Sequence, residues 1–297
     1  MKKRLFSCVA VPTALWLAAS GAFGGTTLDR IKRTGSITLA HRESSVPFSY
    51  VLPDKQPVGY ALELCLKVVE AVRKKAGIPA LVPQYLAVTP SNRVQMVAEG
   101  KADMECGSTT NNAERRAKVA FTVPHYIAGA RIMVRADRTA DTLADFGGKK
   151  LVSTQGTTPL KVIEKANEER LMRINIVQAS DHATAVEMVE SGTADGFVMD
   201  DVLLYGLIAS RRDPGALKVV GKFLTIEPLA IMLPKDDPEF KAIVDEEMKR
   251  LITSREAHVL YEKWFMRPIP PKNVSMNLPM NYLLKDFWRY PTAEVPF

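Results

Sequence analysis

The sequence predicts an α/β protein made of two related lobes, each a largely parallel sheet covered by helices. Three observations carry that expectation. The element order β-α-β-α-β occurs twice along the chain. Val94, Met96, Val97, Gly100, Ala102 and Asp103 recur as Val186, Met188, Val189, Gly192, Ala194 and Asp195, at a constant offset of 92. Hydrophobic residues make up 46% of the 297 positions, enough for one large or two medium cores.

The first series begins with an alternating segment at residues 35–41, a strand. After a turn-rich stretch holding Pro47, Pro53 and Pro57, the residues Leu62, Cys65, Leu66, Val69 and Val72 follow three- and four-residue steps. That spacing places them on one face of a helix, which Gly77 and Pro79 stop. A strand at 80–88, a helix at 91–99 ended by Gly100, and a strand at 102–107 complete the series. The second series reads as strands at 130–136 and 149–154, a helix at 159–169, a strand at 174–179, a helix at 183–191, a strand at 194–199, a helix at 202–212 and a strand at 216–221. Beyond Glu227 come a strand at 229–234 and helices at 238–253 and 256–265. The remaining tail holds Pro268, Pro270, Pro271, Phe287, Trp288 and Tyr290. It is expected to be irregular and to pack on a lobe rather than form its own core.

Residues 1–24 have the three parts of a cleavable export signal. Lys2, Lys3 and Arg4 precede an apolar run over 9–19, and small residues follow at Ser20, Gly21 and Ala22. The run is too short for a good membrane span. Cys8 lies before it, where no lipoprotein cysteine would stand. The formal charge of +7 falls to +4 without the three leader cations. The remaining Lys and Arg alternate with Glu and Asp instead of forming a stripe, so a nucleic-acid partner is not expected. Cys65 and Cys106 would remain after cleavage. In an oxidising compartment they could form a disulfide or stay two buried thiols.

The chain contains no GxSxG, HExxH or GxGxxG motif and no phosphate-binding P-loop. Its four His form no i, i+4 pair, so no zinc site and no other cofactor are expected. Arg, Ser and Thr at strand-to-helix junctions stand out instead. Arg42 ends the first strand, and Arg93 and Arg115 begin helices. Ligands of α/β sheets bind at the carboxyl ends of strands, and guanidinium matches a carboxylate in bidentate fashion. A single such Arg would be read as a surface ion pair; three at one edge point to anion recognition. The segments "GSTT", with Ser108 and Thr110, and "GTTP", with Thr157 and Thr158, offer hydroxyls and exposed N–H groups at helix starts. Simple N-capping is the plainer role for each. Asp200, at the end of a strand, could meet an ammonium or cap the next helix, and Asp201 could share that role. His182, at a helix start, could become protonated beside a ligand carboxylate.

With those residues in view, the chain resembles the glutamate/aspartate binders of ABC importers within family 3 of the bacterial solute-binding proteins. The resemblance spans residues 28–276. It rests on "HRESSVPFSY", "ECGSTTNN", "SGT", "DDPEF" and "KWFMRPIPPKN". It implies a type II periplasmic-binding-protein fold. Lobe 1 would comprise 25–128 and 229–297, lobe 2 would comprise 129–228, and two hinge crossings would join them. It further implies a monomeric periplasmic protein that captures L-glutamate or L-aspartate and delivers it to an inner-membrane permease. Arg115 with Thr157 and Thr158 would hold the α-carboxylate. Ser108, Thr110 and Asp200 would hold the ammonium, and Arg42, Arg93 and His182 the distal carboxylate. One position departs from the pattern: Pro90 stands where these binders have Ser, with Ser91 as the substitute one residue on. The rival readings are an exported dehydratase-like enzyme on the same fold, using Glu43 and His182 as acid and base, and the sensor module of a receptor.

Overall fold

The computed structural model describes residues 26–235 and 237–295. The expected leader, with Cys8, lies outside them. Helix α1 (Thr27–Thr34) leads into β1 (Ser36–His41) through Gly35. A small antiparallel meander follows, formed by β2 (Ser44–Ser45), β3 (Ser49–Val51) and β4 (Pro57–Val58). Then come α2 (Tyr60–Lys75), β5 (Val82–Ala87), α3 (Arg93–Ala98), β6 (Met104–Glu105), α4 (Ala113–Arg116), β7 (Val119–Phe121) and β8 (Tyr126–Ala128). The second half begins at β9 (Ala130–Arg135) and runs through β10 (Lys150–Thr154), α5 (Thr158–Glu169), β11 (Asn175–Ala179), α6 (His182–Glu190), β12 (Gly196–Asp200), α7 (Asp201–Ala209) and β13 (Leu217–Val220). The chain returns through β14 (Glu227–Leu229) and β15 (Met232–Pro234) to α8 (Pro238–Thr253), α9 (Glu256–Tyr261) and α10 (Tyr282–Phe287).

Two five-stranded sheets share one topology. The first has the order β5-β1-β6-β15-β7 and the second β11-β10-β12-β9-β13. In each, a single strand opposes the other four: β15 in the first sheet and β9 in the second. Those two opposed strands lie just beyond the points where the chain passes between the sheets. The passages, β8 and β14, pair as an antiparallel ribbon in which Ala128 faces Glu227 and Tyr126 faces Leu229.

The internal repeat seen in the sequence is a repeat of structure. Gly100 and Gly192 follow α3 and α6 in the left-handed region, at φ +68° and +74°, which Gly adopts without penalty. Asp103 Oδ2 accepts from Thr38 N at 2.7 Å, and Asp195 Oδ2 accepts from Lys150 N at 2.9 Å. The backbone N of each aspartate donates back to that same residue's carbonyl. Each carboxylate also meets an arginine, Arg30 in one case and Arg138 in the other. One helix–glycine–strand joint is therefore used at the same place in both sheets.

Helix α2 buries Leu62, Cys65, Val69 and Val72 as the periodicity predicts, while Leu66 stays exposed. Cys65 and Cys106 form a disulfide that ties α2 to the end of β6. The strand expected at 229–234 is divided into β14 and β15. Between them Ala230 N donates to Thr109 O and Ile231 N to Thr122 Oγ1, as the chain leaves the ribbon for the sheet. The tail is less irregular than expected. Asn281 caps α10 by accepting from Leu284 N, and Trp288 Nε1 donates to Pro124 O at 3.0 Å. Six residues are too few for helical periodicity to show in sequence, and the packing decides the element. Among the described residues no helix is long and apolar enough to cross a membrane.

The disulfide closes a loop with a sequence separation of 41. The chain-entropy estimate for such a loop is about 4 kcal/mol of stability. Replacing both cysteines by serine should lower the stability from urea unfolding by up to that amount. An unchanged midpoint would show that the loop is already ordered in the unfolded chain.

Candidate functional site

The carboxyl ends of both parallel strand sets face each other across a narrow polar pocket. Arg93, Ser108 and Thr110 line it from one side. Thr157, Thr158, Pro159, His182, Met199, Asp200 and Leu203 line it from the other. Seven of the nine residues singled out in the sequence thus border one cavity. Arg42 and Arg115, the other two, are buried beside it.

Each side chain is placed by a junction. Arg42 follows β1 and its backbone N donates to Ser49 Oγ at 2.9 Å, fixing the turn into the meander. Arg93 opens α3 and reaches the Ser108 carbonyl at 3.5 Å. Arg115 lies in α4, where Asn112 caps its backbone N. Its guanidinium donates to Thr110 O at 2.9 Å and to Gly156 O, on the opposite side, at 3.2 Å. Thr157 caps α5, and Thr158 Oγ1 shares a 3.0 Å hydrogen bond with Thr110 Oγ1 across the cleft. Asp200 precedes α7 but makes no capping bond with its side chain. Its Oδ1 has no hydrogen-bond partner among the described residues. The capping role offered by the sequence is thereby set aside. Asp201 is occupied elsewhere, accepting from Gly129 N.

Two glycines let the sides meet. A Cβ on Gly156, which sits at φ +77°, would lie 2.6 Å from Ser91 Cα, and one on Gly206 would lie 2.3 Å from the Val46 carbonyl oxygen. At Gly107 a Cβ would clash with Glu105 Oε1 and lie 3.1 Å from Arg42 Cγ.

The electrostatics are those of a desolvated charge cluster. Burial, then Arg93, lowers Arg42 to about 9, with Glu105 opposing. Burial and Arg93 bring Arg115 to about 10, with Glu227 and Glu105 opposing. Both remain cationic at neutral pH. Asp200 is pushed well above the usual carboxylate range by burial and then by Glu227, against the pull of Arg93 and Arg115. His182 is held well below its ordinary value by burial, then by Arg42 and Arg93. Without a ligand carboxylate beside it the ring therefore favours the neutral form, and its Nδ1 shares a 2.8 Å hydrogen bond with Thr154 Oγ1. Arg42, Arg93, Glu105, Asp200 and Glu227 carry half of the buried side-chain polar atoms without a partner among the described residues. Such atoms are rare in folded proteins. Here they converge on one place.

Sequence reasoning missed Glu105 and Glu227. Glu105 is fully buried between Met104 and Cys106, and a charged residue inside an apolar strand was a usable signal. Glu227 carried none, since its role depends on the ribbon. Ser91 does not take the place assigned to it. It is exposed and bonds Thr89 Oγ1 at 2.9 Å, while the proline before it meets Gly156. Glu43 is exposed and does not line the cavity, so no acid–base pair with His182 is assembled. No group of three potential metal ligands occurs among the described residues.

The family model of the bacterial extracellular solute-binding proteins, family 3, matches residues 37–267. The chain belongs to that family. It is 41% identical over 269 residues to the L-glutamate/L-aspartate-binding protein of Pseudomonas aeruginosa, covering 90% of this chain and 89% of the relative. It is 40% identical over 270 residues to the glutamate/aspartate import solute-binding protein of Escherichia coli K12, covering 91% and 89%. Solved structures of the same fold include a mutant of ArgBP from T. maritima, with TM-score 0.71 and 23% identity over 80% of this chain and 98% of that one. The ancestral amino acid-binding protein AncCDT-1, a precursor of cyclohexadienyl dehydratase, aligns with TM-score 0.68 and 26% identity over 81% and 99%. The type II periplasmic-binding fold expected from the resemblance is thus the fold of this family 3 chain.

Buried neutral histidines tie stability to pH. His125 is fully buried and lowered to about 3 by burial. The unfolded chain takes up its proton near 6.5 and the folded one does not, so this stability is complete above about 6.5 and falls as pH drops towards 3. At pH 5 the loss from His125 is about 2 kcal/mol relative to pH 8. Urea unfolding of His125→Phe at the two pH values should show a pH difference smaller by that amount. An undiminished difference would assign the acid sensitivity to other groups.

Proposed function

We propose that this chain captures L-glutamate or L-aspartate between its lobes and hands it to an ABC-type permease. The observation that carries the proposal is a polar pocket lined by Arg93 and by Asp200, whose Oδ1 lacks a partner among the described residues, with the buried guanidiniums of Arg42 and Arg115 beside it. A molecule with two carboxylates and one ammonium complements that pattern. The two relatives matched over nine-tenths of this chain are named for these ligands.

In this reading Arg115 and the start of α5, with Thr157 and Thr158, hold the α-carboxylate. The hydroxyls of Ser108 and Thr110, with Asp200, hold the ammonium. Arg42, Arg93 and His182 read the distal carboxylate. The hydrogen bond between His182 Nδ1 and Thr154 Oγ1 orients the ring. The ligand bridges residues of both lobes, so its differential affinity drives closure. Lobe 1 comprises 25–128 and 229–297 and lobe 2 comprises 129–228, with β8 and β14 as the two hinge crossings. The leader at 1–24 exports the protein to the periplasm, where it acts as a monomer.

Glutamine keeps the amino-acid end of glutamate but offers no distal anion. Calorimetry should show glutamine weaker by at least about 2 kcal/mol, or roughly 30-fold. Arg93→Ala should weaken glutamate far more than glutamine. Equal affinity of the unmodified protein for both ligands would overturn the assignment of Arg42 and Arg93.

A further inference from the structure

We propose that Glu227, on the return hinge strand, forms with Asp200 a two-carboxyl seat for the ligand's ammonium. The inference rests on the ligand class proposed above and adds a residue the sequence did not suggest.

The geometry comes from one short stretch of backbone. Ala128 pairs with Glu227 in the hinge ribbon, and Ala130, two residues on, pairs with Asp200 in the second sheet. Glu227 and Asp200 are therefore the direct cross-strand partners of two residues separated only by Gly129, and Glu227 lies close enough to act on Asp200 electrostatically. Both carboxyls are nine-tenths buried or more, at 1% and 3% exposure, and each has one oxygen without a hydrogen-bond partner. Asp200 lines the cavity directly.

The surrounding charges fit the proposal. Arg115 and Arg93 lie on the lobe 1 side, and Glu105 acts on both. Asp201 lies beside Asp200 and is engaged by Gly129 and Arg131. His182 favours the neutral form. After burial, Glu227 is the largest influence raising Asp200. Two like charges in one desolvated place are costly without a cation between them. A ligand ammonium supplies that cation and relieves the repulsion only once it is bound. Because Glu227 stands on the ribbon joining the lobes, ammonium capture acts directly on the hinge.

The experiment compares L-glutamate with glutarate, which keeps both carboxylates and lacks the ammonium. In Glu227→Gln, affinity for L-glutamate should fall about tenfold or more, as for loss of one charged hydrogen-bonding group. Glutarate binding should be unchanged or tighter, and the ligand-free melting temperature should not fall, since a repulsive partner of Asp200 is gone. Glu227→Asp, which keeps the charge, should retain most of the preference for L-glutamate. Equal losses for both ligands, or a lowered ligand-free melting temperature with the preference intact, would mark Glu227 as structural and overturn the inference. An unchanged L-glutamate affinity in Glu227→Gln overturns this inference alone. A wild-type chain that binds neither acidic amino acid overturns the ligand reading and this inference with it.

Discussion

Burying three guanidiniums and three carboxylates in one interlobe cleft is the constraint around which this molecule is arranged. Isolated buried charges cost several kcal/mol each, and Arg42 Nε, Arg93 Nε, both Glu105 oxygens, Asp200 Oδ1 and Glu227 Oε2 are left unpaired. The cluster is tolerated because opposite charges are close: Glu105 acts on all three arginines. The balance is incomplete by hydrogen bonding, and that deficit is what a charged, hydrogen-bonding ligand can fill. Contacts between the lobes are both polar and apolar: Thr110 meets Thr158, Arg115 meets the Gly156 carbonyl, Lys161 meets Glu114 at an exposed position, and Val46 packs closely on Gly206 of α7. Exposed ion pairs of the Lys161–Glu114 kind contribute little.

The repeated topology explains how two sheets come to offer the same kind of edge. In both, the third strand begins at a helix–glycine–strand joint locked by an aspartate, Asp103 or Asp195. Beyond that strand the chain emerges at the cleft, as "CGSTT" on one side and as Asp200 on the other. Each lobe thus brings a short polar segment and helix starts to the shared boundary, where N–H groups favour anions. The ribbon of β8 and β14 then sets where those edges meet. It also carries Glu227, whose chemistry belongs to the site although its strand belongs to the connection.

Several features were legible because they depend on neighbours in sequence. Strand–helix alternation, the apolar face of α2, the terminations at Gly100 and Gly192, and the cap at Thr157 are local. The junction arginines were legible for the same reason, since a residue closing a strand in an α/β sheet must face the ligand edge. The illegible features depended on residues brought from afar. Ser91 looked like a substitute for the serine missing at Pro90, yet its hydroxyl bonds Thr89 Oγ1 and its side chain is exposed, while its backbone packs on Gly156. His182 is shifted towards the neutral form by burial and then by Arg42 and Arg93, which are distant in sequence. Helix α10 exists because the tail docks through Trp288 and Asn281.

The sequence by itself determined the order of elements, the internal repeat and the Arg, Ser, Thr and Asp residues at strand-to-helix junctions, since periodicity, turn chemistry and side-chain type act over a few residues. Tertiary structure alone decided which of those residues share one desolvated cavity, that Cys65 meets Cys106, and that Glu105 and Glu227 join the charge cluster. Burial and Coulomb interaction depend on distances through space, and only the packed fold specifies those distances.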